Sequence, residues 1–168
     1  MSINNHEAER FSECLDKAKS YAEVWKIVQE TAEYALGKRR NCMMLFLDDL
    51  PLQLGAYYPV GTNNIVLNRT LVDVVETQFN DQPTKNALVY NLLLHEYLHA
   101  LGDMSEVGVR RDVLAVAKKS FGEQHIATVL ARKSPWALLK DLHLGAMIAP
   151  KRGMEIVSDF EKTGKYIV

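Results

Sequence analysis

The amino-acid sequence predicts an α+β fold, in which a small, mostly antiparallel sheet packs on a central helix with further helices flanking it. Three observations lead to this prediction. Helical periodicity dominates the first 36 residues and most of the chain after residue 82. Short apolar runs separated by turn residues lie between these parts and are typical of strands. One long helical segment is apolar on almost every face, as expected of a helix at the centre of a domain.

Two helices are expected before the first strand. Phe11 and Leu15 belong to an apolar stripe with three- and four-residue spacing. Ser20 and Glu23 fit a capping box that begins the second helix. Gly37 is placed to end that helix because glycine readily adopts the left-handed conformation after a last turn.

Three short strands are expected next. The first is a continuous apolar run, and the other two are bounded by glycine, proline and asparagine. They cover residues 42–47, 54–58 and 63–68. Asn68 can then cap a helix over residues 69–77.

The second half of the chain is expected to be helical. Pro83 suits the first position of the central helix, which should cover residues 83–101 and end at Gly102. Further helices are expected from Ser105 or Glu106 to about residue 120, over residues 124–132, and from residue 134 to about residue 143. No structure is assigned to the tail, residues 150–168.

Size and composition indicate one soluble globular domain. The chain has 168 residues, of which 48% are hydrophobic and 24% are charged. We divide this single domain into N-terminal helices over residues 1–40, a core over residues 42–121 and a C-terminal helical extension over residues 122–168.

Charge, hydropathy and cysteine content narrow the functional class. The formal net charge is −1 and the only basic run is Lys38-Arg39-Arg40, so we expect no nucleic-acid partner. No apolar stretch reaches membrane-spanning length and the first ten residues are polar, so we expect neither membrane contact nor a secretory signal. Cys14 and Cys42 have apolar neighbours and are expected to be buried free thiols. Together these features predict a cytoplasmic protein.

The central helix carries three ionisable side chains in a pattern that predicts a metal site. His95 and His99 are four residues apart, so both imidazoles lie on one face and can reach a single ion. Glu96 lies about 100° around the helix, from where it can reach a water on the open side of the ion. Such a glutamate is a general base for hydrolysis by a zinc-activated water. The alternative is a pair of hydrogen-bonded core histidines, but burying three ionisable groups without a partner costs free energy.

The motif His95-Glu96-Tyr97-Leu98-His99 resembles the active-site helix of the zincin metallopeptidases. The small size and the order of strand and helix are similar to the minimal zincins of archaea, called minigluzincins, over residues 42–121. This resemblance implies a zincin-like fold, a Zn²⁺ cofactor and hydrolysis of peptide bonds. It also implies that residues 63–67 form the edge strand of the cleft, along which an extended peptide or protein substrate pairs.

The third metal ligand needs a residue outside the motif. A metzincin would have a histidine at position 105, where this chain has Ser105. Gluzincins use a glutamate from the next helix, and the resemblance therefore assigns Glu106. The alternative role of that residue is a first-turn carboxylate favoured by the helix dipole. The competing ligands are Asp103, His125 and His143.

Several other side chains are candidates for supporting roles. Arg110, Arg111 and Asp112 follow Glu106 and either orient a ligand or form a solvated helix face. Candidates for stabilising an oxyanion are Tyr57, Tyr58, His125 and His143. Trp25 and Trp136 are expected in the core.

The leading hypothesis is a small zinc-dependent metallopeptidase. His95, His99 and Glu106 hold the zinc and Glu96 is the general base. The main alternative is a zinc-binding regulatory or interaction protein with a zincin fold and no turnover. A third hypothesis is a metal-dependent hydrolase of non-peptide amides.

Overall fold

The computed structural model describes residues 4–140 and 151–161 of the chain. Over those residues it forms six α-helices, one 3₁₀ helix at Pro135–Leu139 and a four-stranded sheet, which confirms the α+β class. None of the helices described is both long and apolar enough to cross a membrane. The helices are α1 Asn5–Lys17, α2 Tyr21–Leu36, α3 Arg69–Phe79, α4 Gln82–Ala100, α5 Glu106–Phe121 and α6 Ile126–Lys133, and the strands are β1 Met44–Asp48, β2 Ala56–Tyr57, β3 Asn64–Asn68 and β4 Glu155–Ile156.

Local signals set the helix ends as the sequence predicts. The Ser20 hydroxyl accepts a hydrogen bond from the Glu23 backbone N–H at 3.1 Å, which caps α2. Gly37 follows α2 with a φ of 67°, a conformation that favours glycine. The Asn68 side chain accepts from the Leu71 backbone N–H at 3.4 Å and caps α3.

The sheet is mixed, with the strand order β2-β3-β1-β4. β1 and β3 are parallel over five residue pairs, from Met44↔Asn64 to Asp48↔Asn68. β2 and β4 are antiparallel to their neighbours, each over two pairs. The prediction of a mostly antiparallel sheet is therefore wrong for β1 and β3, which form the longest pairing in the sheet. The connection over residues 49–63 is long enough to return the chain in the same direction, as a parallel pair requires.

The edge strand also differs from the sequence prediction. Residues 63–67 were expected at an edge, but β3 lies inside the sheet between β2 and β1. The tight turn at Pro59–Thr62, closed by a 3.2 Å hydrogen bond from the Thr62 N–H to the Pro59 carbonyl, folds β2 back onto β3. β2 therefore forms the edge of the sheet at this side.

Helix α4 is the centre of the core. It contacts the five other helices as well as β2 and β3, and most of its side chains are buried. Its C-terminal end is held by Arg40, whose guanidinium donates to the Ala100 carbonyl at 2.8 Å. The Tyr97 hydroxyl accepts from the Arg40 backbone N–H at 2.7 Å and donates to the Arg40 carbonyl at 3.1 Å. These bonds fix the position of the helix end that carries the motif.

Residues 151–161 form a segment, here called the strap, that packs against β1 and α2. The sequence did not predict this segment. β4 extends the sheet by pairing with β1. Phe160 is buried and stacks on Trp25, with ring centroids 4.7 Å apart. The Glu161 carboxylate accepts from the backbone N–H groups of Cys42 at 2.6 Å and Met43 at 2.8 Å. The extension predicted as helical is helical as far as Leu139, and this strap is strand and turn.

Both cysteines are exposed, and the expected burial is wrong. Cys14 lies on the solvent side of α1, whose buried residues are Phe11 and Leu15. Cys42 precedes β1 with a φ of 66°. Both are free thiols, as expected.

A cluster of charged side chains fastens the strap to the sheet and to α3. The Asp49 side chain is 6% exposed, and its carboxylate accepts from the Arg69 guanidinium at 2.8 Å and from the Arg152 guanidinium at 2.7 Å. The Thr70 hydroxyl donates to it at 2.8 Å. The hydrogen bonds from Arg152 and Arg69 hold the pKa of Asp49 well below its usual range.

Replacement of Asp49 by asparagine should therefore destabilise the protein in a pH-dependent way. At pH 7 we expect Asp49→Asn to lower the free energy of unfolding by about 1–3 kcal/mol, since a buried charge-assisted network loses its negative charge and one acceptor oxygen. Because folding lowers the pKa of Asp49, its contribution is complete above the unfolded-state pKa of about 3.9 and decreases progressively as the pH falls from there towards the lowered pKa of the folded state. Urea unfolding at pH 7 and pH 3 measures both effects.

Glu13→Gln is the matched control, because the Glu13 side chain is 74% exposed on α1. It should change the unfolding free energy little at either pH. A difference between wild type and Asp49→Asn that is as large at pH 3 as at pH 7 would contradict the role given to the carboxylate.

Candidate metal centre

The end of α4 and the start of α5 bring the candidate ligands together. His95, Glu96 and His99 lie in the last turns of α4. The chain then reverses at Gly102, whose φ of 114° is one that only glycine adopts without strain. Ser105 caps α5 by accepting from the Gly108 N–H at 3.1 Å. Glu106, the first residue of α5, is thereby placed against the histidines.

Glu106 bridges the two histidines. Its Oε2 lies 3.1 Å from Nε2 of His95, and its Oε1 lies 2.9 Å from Nε2 of His99. Among the residues that the structure describes, these three form a group whose ligand atoms all lie within 4.8 Å of one another. The structure thus brings the three predicted ligands to one point.

The backbone determines the role of one ring nitrogen of His99. Its Nδ1 lies 2.7 Å from the carbonyl oxygen of Asp103, which can only accept, so Nδ1 carries the proton. In the neutral imidazole the other nitrogen, Nε2, is then a lone pair that faces the Glu106 oxygen at 2.9 Å. Two acceptors at this distance repel each other unless a proton or a cation lies between them. The contact is that of an ion pair with a protonated His99, and the same two atoms are placed so that they could bind a metal ion.

The donor set fits a divalent transition-metal ion. Two imidazole nitrogens and one carboxylate oxygen are the ligands that zinc takes in hydrolytic sites. A carbonyl acceptor on the second nitrogen of a ligating histidine is the usual support for such a ligand. The same donors also suit other divalent transition ions, so the residues define the site and not the metal.

His95 is kept in the form that can bind a metal. Burial lowers the pKa of His95. Arg110 acts in the same direction, as does His99 when it is protonated, while Glu106 opposes them. A neutral imidazole offers the lone pair that coordination requires.

Glu96 lies next to the candidate ligands but is not a member of the group that could hold a metal ion. It is 9% exposed, and it contributes to the wall of the same cleft as His95 and Glu106. Burial raises the pKa of Glu96 to about 7, with Glu106 acting in the same direction, while His99 and the backbone amide of Tyr58 lower it. A carboxyl group placed in this way can exchange a proton near neutral pH.

The cleft in front of these residues has a volume of about 710 Å³, which is in the range of a small-molecule or peptide-side-chain site. Residues 53–56, ahead of and into β2, form one wall and Arg110 and Arg111 of α5 form another. At Gly55 an added Cβ would lie 2.6 Å from Leu92 Cδ2, so a larger residue there would require the Leu92 side chain to shift. Trp136, expected in the core, is half-buried and lines the cleft.

The competing ligands have other roles. His125 caps α6, and its Nε2 lies 2.9 Å from Asp16, so it has no part in the site. The Asp103 side chain accepts from the Ser105 N–H at 2.9 Å, while its carbonyl holds His99. His143 lies outside the described residues.

The proposed supporting residues are only partly near the metal centre. The Tyr58 hydroxyl donates to the Thr62 carbonyl at 3.1 Å, and Tyr57 lies in β2. Arg111 pairs with Asp112 at 3.2 Å and not with a ligand. Sequence reasoning missed the carbonyl of Asp103 as the partner of His99, although the glycine turn directly after the motif is the signal that could have found it.

A second cavity, of about 1040 Å³, lies between α2 and the strap. It shares no lining residue with the cleft and contains none of the three candidate ligands. This cavity is larger than the cleft, but His95 and Glu96 of the motif line the cleft and not this cavity.

Comparisons with protein-family models, with curated proteins and with solved structures find no match for the chain. The interpretation of the site therefore depends on the contacts of His95, Glu96, His99 and Glu106.

Removal of the Glu106 carboxylate should weaken metal binding. We expect Glu106→Gln to lower zinc affinity at least about tenfold, because one charged ligand is lost and the two histidines no longer share an anionic partner. Competition against a chromogenic zinc chelator measures the affinity. Asp103→Asn is the matched control, since it alters the rival carboxylate and keeps the carbonyl bonded to His99. Equal affinities of wild type and Glu106→Gln would place the third ligand elsewhere.

Proposed function

We propose that the protein is a small, cytoplasmic, zinc-dependent metallopeptidase of the zincin type that resembles the minigluzincins. His95, His99 and Glu106 hold the zinc, and Glu96 is the general base. The observation that carries this proposal is the convergence of His95, His99 and Glu106, whose ligand atoms all lie within 4.8 Å of one another, beside a cleft that also contains Glu96.

In this mechanism the zinc and the groups of the protein have separate roles. Zinc, when bound, supplies Lewis acidity that polarises a substrate carbonyl and lowers the pKa of a water to about 7. Glu96 accepts the proton of the attacking water and delivers it to the leaving amine. The Asp103 carbonyl keeps His99 in the tautomer that the reaction needs. The buried setting of α4 keeps these groups from moving relative to one another.

The surroundings of the cleft support a peptide as the substrate. β2 lies at the edge of the sheet, and Gly55 and Ala56 contribute to the cleft wall. An extended peptide can add to such an edge through backbone hydrogen bonds. This assigns to β2 the role that the sequence analysis gave to residues 63–67.

The alternative function is a zinc-binding regulatory or interaction protein without turnover. A structural zinc site is closed by four protein ligands, whereas a catalytic site keeps a position open. Over the described ranges, 4–140 and 151–161, the group that can hold a metal has three members. This donor count, together with Glu96 on the cleft wall, favours the enzyme.

Replacement of Glu96 separates metal binding from catalysis. We expect Glu96→Gln to keep about one zinc per chain and to lose about 10²–10⁴-fold in kcat, because the general base is gone and the ligands remain. Zinc content is measured by elemental mass spectrometry, and cleavage by mass spectrometry of a peptide library. A variant that cleaves as fast as wild type would remove Glu96 from the mechanism.

Assays of the wild-type protein also distinguish the metallopeptidase from the two alternative functions. Stoichiometric zinc without cleavage of any library peptide would favour the regulatory protein. Hydrolysis of small non-peptide amides with no cleavage of peptides would favour the third hypothesis.

A further inference from the structure

Cationic side chains surround the cleft on the side away from the sheet. Arg110 and Arg111 lie on α5, and Arg132 and Lys133 lie at the end of α6. The acidic side chains that line the cleft are Glu96 and Glu106, which the metal centre already uses. The charges left to meet a ligand in this part of the cleft are therefore positive.

Glu106 does not pair with Arg110, because its carboxylate faces the two histidines. Arg110 lies one helical turn after Glu106, a spacing that usually gives an ion pair on a helix surface. The two Glu106 oxygens, however, face the histidines at 2.9 and 3.1 Å. In the part of the chain that the structure describes, no carboxylate lies within ion-pair distance of Arg110.

The other cations differ in how far they are neutralised. Arg111 pairs with Asp112 at 3.2 Å, and Arg132 pairs with Glu123. Lys133, like Arg110, is exposed and has no ion pair with any residue in 4–140 or 151–161. Of the cleft-lining cations, Arg110 and Lys133 are thus the two without an ion pair to any residue that the structure describes.

The cleft is also lined by apolar side chains. These are Leu92, Trp136, Val113 and Leu114. A lining with both cationic and apolar side chains suits a ligand segment that has an acidic group next to apolar atoms. A guanidinium recognises a carboxylate well because it can donate two parallel hydrogen bonds.

We propose that Arg110 and Lys133 select peptides that present a carboxylate within a residue or two of the scissile bond. The carboxylate is an aspartate or glutamate side chain or the free C-terminus of the peptide. This inference rests on the proposed peptide substrate, and it names the class of peptide that the cleft favours. Arg110 is then a specificity-determining residue and not a ligand or a base.

Four labelled peptides of one length separate the sources of the carboxylate. Three are amidated at the C-terminus and have glutamate, glutamine or lysine at the varied position, while the fourth has glutamine there and a free C-terminus. Binding is measured by fluorescence anisotropy with zinc-loaded Glu96→Gln protein, so that no turnover is needed. Cleavage of the same peptides by wild type gives kcat/KM.

We expect the glutamate peptide to bind about tenfold more tightly than the lysine peptide, with the glutamine peptide between them, since two exposed charges act together. The preference should decrease as salt rises, because exposed charges are screened. Tight binding of the free C-terminal peptide alone would assign the carboxylate to the peptide end. Either source of the carboxylate supports the inference.

Charge reversal in the protein gives the second test. Arg110→Glu, in the Glu96→Gln background, should reverse the order of the glutamate and lysine peptides, and Lys133→Glu should reduce the preference. Lys17→Glu is the matched control, because it makes the same charge change on α1, where the Lys17 side chain is 77% exposed. It should leave the order unchanged.

The outcomes separate this inference from the proposed function. Peptides that are cleaved with no dependence on charge would overturn the inference and leave the peptidase. Peptides that bind in the expected order and are not cleaved by wild type would support the inference and overturn the peptidase. Failure of all four peptides to bind, or an unchanged order in Arg110→Glu, would overturn the inference.

Discussion

The turn after α4 places the carbonyl oxygen of Asp103 2.7 Å from Nδ1 of His99, and the chemistry of the site depends on that contact. A carbonyl oxygen cannot donate a hydrogen bond, so Nδ1 of His99 must carry the proton that this oxygen accepts. In the neutral ring Nε2 then has the lone pair, and it faces Glu106 at 2.9 Å.

The contact between Asp103 and His99 is supported by three residues that are neither candidate metal ligands nor candidate bases. Gly102 allows the reversal, with a φ of 114°. Gly108 leaves room for Asp103, since a Cβ there would lie 2.7 Å from an Asp103 carboxylate oxygen. Arg40 binds the carbonyl at the end of α4 and so prevents that end from fraying. Two glycines and one arginine therefore hold the metal centre in place.

The sequence predicted the parts of the fold and of the site that depend on near neighbours. His95 and His99 lie on one face because of helical spacing alone, and the caps at Ser20 and Asn68 follow from local hydrogen bonds. Glu106 was assigned through the resemblance to gluzincins, and its position at the start of the helix after the Gly102 turn agrees with that assignment.

The parts that the sequence did not predict depend on distant contacts. β4 has no strand pattern and forms only because β1 offers an edge more than 100 residues earlier. The place of β3 inside the sheet depends on which strands pair, which composition does not encode. The cleft position of Trp136 depends on the close approach of Gly55 to α4, which only the folded chain shows.

The strap has a consequence for how the protein is made. Its contacts with Trp25, Cys42 and Met43 join segments that are far apart in the chain, and such contacts form slowly because a long loop must close first. During synthesis the ribosome releases β1 long before it releases Phe160 and Glu161. Until then β1 is an open edge able to pair with another nascent chain. β1 is thus open to aggregation during translation until Phe160 and Glu161 emerge.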